Sequence, residues 1–485
     1  MTRATLAQGK LGPAGLWIMA VVASSPLTVQ VGGIPTMYAA TGVAGVPLAF
    51  VLVGCILFVL AVAYTGAAGH IRHAAPLYAL MGRGISPVIG VAAGACALVG
   101  YMAIGTSLYG LIGPTVAGIA GGGPWWAWSA GALAVVAGLG LLGGMSSARF
   151  LGALLAVEVA VIGCYIVAAL VQRQGSLTWQ PFAPSALVVP GMAGAVAFAM
   201  AAFVGVETVP AYAEEARGGS PAVRRAMLAA IAFGAITYAA GAWAMAVHVG
   251  PGRLELVGSD AALSPLQTLT RVFGPGVGLL ATALLATSVI AAIASFHAAG
   301  SRYLFAMARE GILPARLATV SKAGDGGTPA AASLTQTALA GAVLAGFAIL
   351  GADPLTVMFT WLSTLGAVML LALLVAASWA ALRFFSSGQG ANDSVWVRRI
   401  APVCGSVLGA LLIAMMLSNL GSLLGLPPGS RRWLIIPALV AATAAAGLVW
   451  GVVVRLTRPS SVAQVGRIVA DPISSRVARL GRLGL

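Results

Sequence analysis

The feature that most constrains this sequence is a succession of apolar runs, each long enough to cross a lipid bilayer. A helix rises about 1.5 Å per residue, so roughly 20 apolar residues span the hydrocarbon core. Twelve such runs follow one another at approximately 13–39, 43–67, 86–117, 125–145, 149–171, 190–213, 226–249, 274–308, 330–350, 355–384, 401–424 and 432–455. Inside a bilayer every backbone N–H and C=O must be satisfied within the spanning element, and runs of this length predict helices. Only 8% of the 485 residues are charged and 60% are hydrophobic, whereas a soluble domain carries about 25% charged residues. The expected fold class is an all-α polytopic membrane protein with twelve transmembrane helices.

The net charge of +15 comes from 26 Lys and Arg against 11 Asp and Glu. On a soluble chain that excess would suggest nucleic acid, but its distribution points elsewhere. With the N-terminus inside, Arg173, Arg253, Arg271, Arg431 and Arg432 fall on the outer side and the other 21 of the 26 basic residues on the inner one. Such an asymmetry follows the positive-inside rule, so the expected location is the cytoplasmic membrane with both termini cytoplasmic and no nucleic-acid partner. Trp17, Trp125, Trp126, Trp128, Trp179 and Trp433 lie near the ends of runs, as interfacial anchors do. Residues 1–12 are expected to form an inner tail, and the first run reads as a span, with no convincing cleavage site of a removed signal peptide. Residues 456–485 form a basic inner tail in which Arg458, Arg467, Arg476, Arg479 and Arg482 alternate with apolar residues around one acid, Asp471. Both an amphipathic segment on the anionic leaflet and a disordered tail fit it. Cys55, Cys96, Cys164 and Cys404 all lie in apolar runs without ligand spacing, so neither a disulfide nor a zinc site is expected.

Two runs are interrupted. The first reads VVASSPLTVQVGGIP, with Ser24, Ser25, Pro26, Gly32, Gly33 and Pro35 breaking the helix, and the sixth reads FAMAAFVGVETVPAYAEEARGG, with Gly205, Glu207, Thr208 and Pro210 doing the same. Proline removes a backbone donor and glycine loosens the helix, freeing polar groups at depth. A single interruption is commonly a packing kink. Two at matching positions of two five-helix halves point to inverted repeats around a central site.

Phe203-Val-Gly-Val-Glu207, Glu214-Glu-Ala-Arg217 and Ser301-Arg-Tyr-Leu-Phe-Ala-Met-Ala-Arg-Glu-Gly-Ile-Leu-Pro314 give the chain a resemblance to the amino acid, polyamine and organocation permeases. The resemblance covers nearly the whole chain. It implies the sodium-symporter type of fold, with residues 13–171 and 190–384 as inverted five-helix repeats and the two helices of 401–455 peripheral. It further implies alternating access and a small amine-bearing substrate at the broken first and sixth helices, bound by residues 24–28 (Ser24, Ser25, Pro26, Leu27, Thr28) and by Phe203, Val204, Gly205 and Val206. Here Ser24-Ser-Pro-Leu-Thr28 replaces the family's usual Gly-Ser-Gly type turn. Proline offers no N–H, so the remaining amides and the hydroxyls of Ser24, Ser25 and Thr28 are left to hold a carboxylate.

Nine of the 11 acids fall in loops or at run ends, leaving Glu158 and Glu207 at depth. A charged acid near the bilayer centre costs roughly 2.5–3.5 kcal/mol or more, so each must be paired, solvated or protonated. Glu158 lies nine residues beyond Arg149, about 13 Å along the helix and close to the midplane. In several proton-coupled members of the resembling family a lysine occupies the corresponding place and substitutes for sodium. A glutamate there serves either a proton or a sodium ion. Glu207 coincides by motif with the family's gating glutamate, and either glutamate can instead be a structural hydrogen-bond partner. Ser295 and His297 in the eighth run lie where such folds place coupling-ion ligands, although a histidine satisfied by a neighbouring carbonyl is the plainer expectation for His297. Trp361 in the tenth run is a candidate for contact with a substrate amine, while Tyr101 and Tyr109 are candidates for the pocket wall. His70 and His73 are expected to contribute only surface charge.

The expected function is secondary active transport of an amino acid or related amine, with a proton as coupling ion, sodium possible and no cofactor. Sodium coupling, exchange and a non-transporting sensor are the alternatives. A membrane enzyme lacks support, since the four histidines are scattered and no HExxH, Walker A or GxSxG motif occurs. Oligomeric state is not legible.

Overall fold

Proline or a polar cap starts most of the long helices. Pro13, Pro47, Pro87 and Pro275 stand in the first turn of their helices, where the missing N–H has no intrahelical partner to lose. Ser86 accepts from Ile89 N ahead of the third span, and Asp353 accepts from Leu355 N and Thr356 N ahead of the tenth. The computed structural model describes Leu6 and residues 11–142, 148–173, 177–321 and 327–468. The basic residues Arg3, Lys10, Arg476, Arg479 and Arg482, and with them Asp471, lie outside the described residues.

Among the described residues eleven helices are long and apolar enough to cross a membrane: Pro13–Thr41, Val46–Ala68, Pro87–Ala120, Ala148–Val171, Met192–Tyr212, Gly219–Val249, Pro275–Arg309, Ala330–Ile349, Pro354–Ser386, Trp396–Ser418 and Arg432–Thr457. The run at 125–145 forms a shorter helix, Trp125–Leu142, and residues 143–147 are not described. We number these twelve helices as spans in chain order. The multi-pass helical class read from the sequence is the one observed.

The boundaries differ instructively. Span seven begins at Gly219 and span eleven at Trp396, each several residues before its apolar run, so Arg224, Arg225, Arg398 and Arg399 lie on helix. Hydropathy marks where the hydrocarbon ends, whereas the hydrogen-bonded helix continues into the interface, carrying arginines whose long stems reach water. Span eight is 35 residues long, about 52 Å against a core of roughly 30 Å, longer than one crossing requires. We call the end carrying the junctions after spans two, four, six, eight and ten the basic end.

Span two packs along span seven, span three against spans eight, ten and twelve, and span one touches five, six, seven and eight together. Among the eleven long spans, nine, eleven and twelve are the least buried. All nine tyrosines are buried in the bundle, whereas Trp126, Trp128 and Trp179 are exposed at the rim. A phenol can bond inside the bundle, and the larger indoles settle at the interface.

Candidate functional site

Span one breaks at Ser25. Pro26 has no N–H to continue the ladder, so the helix Pro13–Ser24 closes with Ser25 N donating to Val22 O at 3.1 Å. Ser25 takes the left-handed conformation, φ 47° and ψ 71°, which is unfavourable for a residue with a Cβ by about 1–2 kcal/mol. The helix restarts at Pro26, widens into a π-helical turn at Val29–Gly33 and resumes at Ile34–Thr41. Residues 24–28 are thereby set where helix direction changes. Ser24 Oγ donates to Val21 O at 2.8 Å and accepts from Tyr238 OH of span seven at 3.2 Å.

Span six opens at the facing position. The helix Met192–Ala202 ends before Phe203, and the chain turns at Gly205, φ 119°, into a 3-10 segment, Val206–Tyr212. A Cβ on Gly205 would stand 2.6 Å from the Ala23 carbonyl carbon and 2.9 Å from Ser24 N. Only glycine meets both demands, the positive φ and backbone contact between the two interrupted helices. Phe203 packs edge-on to Phe50 and Tyr238, with ring centroids 6.3 and 5.5 Å away, and Val204 and Val206 are buried beside it.

The two deep acids have different surroundings. Glu207 turns back on its own segment, with Oε2 accepting from Gly205 N at 2.8 Å, while its buried Oε1 has no hydrogen-bond partner among the described residues. Glu158 instead ends a chain of hydroxyls crossing three spans. Ser288 Oγ of span eight donates to Glu158 Oε2 at 2.9 Å, Ser288 and Ser25 hydroxyls lie 2.9 Å apart, and those of Ser25 and Thr28 lie 2.6 Å apart. Each hydroxyl has one hydrogen. With Ser288 donating to the carboxylate, Ser25 donates to Ser288 and Thr28 to Ser25; a protonated Glu158 allows the whole chain to reverse. Three hydroxyls and one carboxyl form an all-oxygen group suited to a hard cation as well as to a proton. Among the described residues no group of three His, Cys, Asp or Glu has metal-binding proximity.

The other residues singled out from sequence are placed apart from this chain. Ser295 donates to Ala291 O within its own helix, and His297 Nε2 meets Ser333 Oγ of span nine at 2.8 Å. Trp361 is half-buried near the start of the helix Thr360–Ser386. Tyr101 packs on Tyr303 at 5.5 Å, and Tyr109 is buried in span three. Sequence reasoning missed Ser288, which lies about two helical turns before Ser295 on the same face, and Tyr238. It also missed Gln30, buried against Gly241 with both amide atoms unpartnered among the described residues. The only signal for Ser288 was a polar residue two turns from the one chosen.

At the basic end the two motifs that carried the resemblance meet. Arg302 Nε donates to Glu215 Oε1 at 2.7 Å, and Arg309 grips Glu214 bidentately at 3.0 and 2.6 Å. Arg302 also lies over the Tyr212 ring, 4.1 Å from its centroid. The reading of His73 as surface charge is corrected: it is fully buried and pairs with Glu310 at 3.1 Å, because its junction folds inward against Glu310 and Tyr78. His70 does lie at the surface, paired with Asp393.

Two solved structures share this architecture at low identity. Both are crystal structures of the manganese transporter of Eremococcus coleocola. One is in complex with an aromatic bis-isothiourea substituted compound and has a TM-score of 0.53 at 15% identity, covering 92% of this chain and 95% of that one. The other is a mutant of the same transporter, with a TM-score of 0.53 at 14% identity, covering 96% and 98%. The likeness is one of fold. No protein of curated function matches the sequence significantly. Residues 15–419, which hold both broken spans, Glu158, Ser288 and the paired motifs, match a family model described as amino acid permease. With that match spanning most of its length, this multi-pass membrane transporter belongs to the amino acid permease family.

Proposed function

We propose that the protein is a proton-coupled secondary transporter of an amino acid or related amine, located in the cytoplasmic membrane with both termini and the basic end inside. Spans one to five and six to ten act as the two inverted halves, and spans eleven and twelve stand outside them. Substrate binds where spans one and six are interrupted. Its amine meets carbonyls freed around residues 203–206, and its carboxylate meets the amides and hydroxyls of residues 24–28.

The observation that carries the coupling assignment is the chain Glu158–Ser288–Ser25–Thr28. It links a deep carboxyl on span five to the hydroxyls at the break of span one, so a change of protonation at Glu158 reorients hydrogen bonds beside the substrate. A ligand biases alternating access only through its differential interaction with the two states, and this chain makes such a difference for a proton. Glu207, with one oxygen unpartnered, serves as the second titrating or gating group on span six. The same four oxygens favour sodium as the second reading, because hard oxygen donors suit it.

A thermal-shift screen of purified protein against amino acids and polyamines identifies the substrate, since a ligand of the folded state raises its midpoint. Uptake of that substrate into proteoliposomes under an imposed pH gradient, with and without sodium, then separates the two readings. Uptake unaffected by combined Glu158→Gln and Glu207→Gln would sink the coupling role.

A further inference from the structure

Residues 459–468, which follow span twelve, stay against the bundle. A short helix, Pro459–Val462, is followed by a turn whose Val465, Gly466 and Ile468 are buried. Gly466, φ 68°, lies against the helix Pro76–Gly84 so closely that a Cβ would stand 2.8 Å from Ala79 O. Glu310, just past span eight, accepts from the main-chain N–H of Gly466 at 2.9 Å and of Ile468 at 3.0 Å. Its carboxylate also accepts from Tyr78 OH at 2.6 Å and pairs with His73. Arg309 donates to Ile468 O at 3.0 Å through the same Nη2 that holds Glu214. Higher up, Trp450 Nε1 donates to Ile312 O and Arg458 reaches Gly311 O.

Arg309 and Glu310 make these bonds to main-chain groups with side chains that also hold two junctions: Glu310 meets His73 and Tyr78 after span two, and Arg309 holds Glu214 after span six. A segment held only to stabilise span twelve has no need of Arg309, whose other partner follows the 3-10 segment of the broken sixth span. We propose that residues 459–468 are an intramolecular strap that restrains the basic end: docked, it fixes Arg309 and Glu310 and with them the end of span six, and its release loosens that end. The strap is a brake built into the chain, and it stands independently of the substrate or coupling ion.

The test reads conformation and needs no substrate. A single reporter, Ala213→Cys, is placed in a background with the four native cysteines replaced by alanine and labelled with a maleimide in nanodiscs. Ala213 lines a small cavity at the basic end with Thr65, His73 and Pro76. Two variants evict the strap without touching Arg309 or Glu310: truncation after Arg458, and Gly466→Val, whose Cβ meets Ala79 and whose φ is unfavourable. The expected result is labelling at least about threefold faster in both, with labelling at a control, Ala44→Cys at the opposite end, unchanged. Unchanged labelling at Ala213→Cys overturns the proposal. An equal rise at both reporters, together with a collapsed thermal midpoint, also overturns it, because the segment would then be a plain packing element.

Discussion

The carboxylates at membrane depth and those at the basic end are held in opposite ways. At the basic end Glu214 and Glu215 pair with Arg309 and Arg302 across 2.6 and 2.7 Å, and Glu310 meets the His73 ring at 3.1 Å with its remaining bonds filled by Tyr78 and two main-chain amides. Deeper in the bundle neither Glu158 nor Glu207 has a cationic partner among the described residues. One accepts from a serine and the other from a backbone amide, with an oxygen to spare. A buried ion pair with its hydrogen bonds filled is fixed, since separating it strands a charge in a poor solvent. A buried carboxyl held by neutral donors can exist with or without its proton. The difference teaches which acids join helices and which are free to change state, and it is visible only from partners, since all five are buried glutamates.

The comparison is most strongly tested by breaking the fixed side. Arg309→Ala leaves Glu214 buried and unpaired at a site where the two side chains are 4% and 1% exposed; a loss of about 3–5 kcal/mol is expected, read as a fall in thermal midpoint. If the midpoint hardly moves, the basic-end pairs are not structural. Gly205→Ala comes next, forcing a Cβ into the Ala23–Ser24 backbone at a positive φ. It should cost about 1–3 kcal/mol and abolish transport even where folded protein is recovered; retained uptake would show that the two broken helices need not touch.

On the deep side, Glu158→Gln keeps an oxygen to accept from Ser288, so stability should change by less than about 1 kcal/mol while gradient-driven uptake falls by more than about tenfold. Preserved substrate exchange beside that loss would sharpen the contrast, whereas a large fall in midpoint would erase it. The smallest effect is expected from pH. Burial alone would push the Glu310 carboxyl up, but the bonds from His73, Tyr78 and Gly466 N–H hold it below its ordinary value of 4.5. The stability this contributes is present above that value and is lost as pH falls through the lower, folded one. Midpoints of the native protein and of Glu310→Gln, followed from about pH 6 to 3, should therefore converge at the acid end; parallel curves would show that Glu310 plays no such part.

Much of this was legible beforehand. Charge and proline mark the spans, the breaks at Pro26 and Gly205 follow from residues that cannot continue a helix, and two acids stand out in a chain with 11. The serine opposite Glu158 was not legible, nor was the burial of His73. Spans that are apolar on nearly every side give no periodic signal of which face meets which neighbour, so Ser288 and Ser295 look alike in the sequence. His73 sits in a junction that reads as surface until it is seen folded against Glu310, 237 positions away in the chain.

By itself, then, the sequence determined the bilayer as solvent, the order of the spans, the two points where helix must fail and the place of Glu158 and Glu207 within apolar spans, because these depend on local chemistry along one chain. The tertiary structure alone decided that Ser288 completes the hydroxyl chain, that the span-six and span-eight motifs are one ion-pair cluster, and that the segment after span twelve is strapped to Glu310. Each is a contact of about 3 Å between residues up to 263 positions apart, set by how the helices rotate and pack against one another.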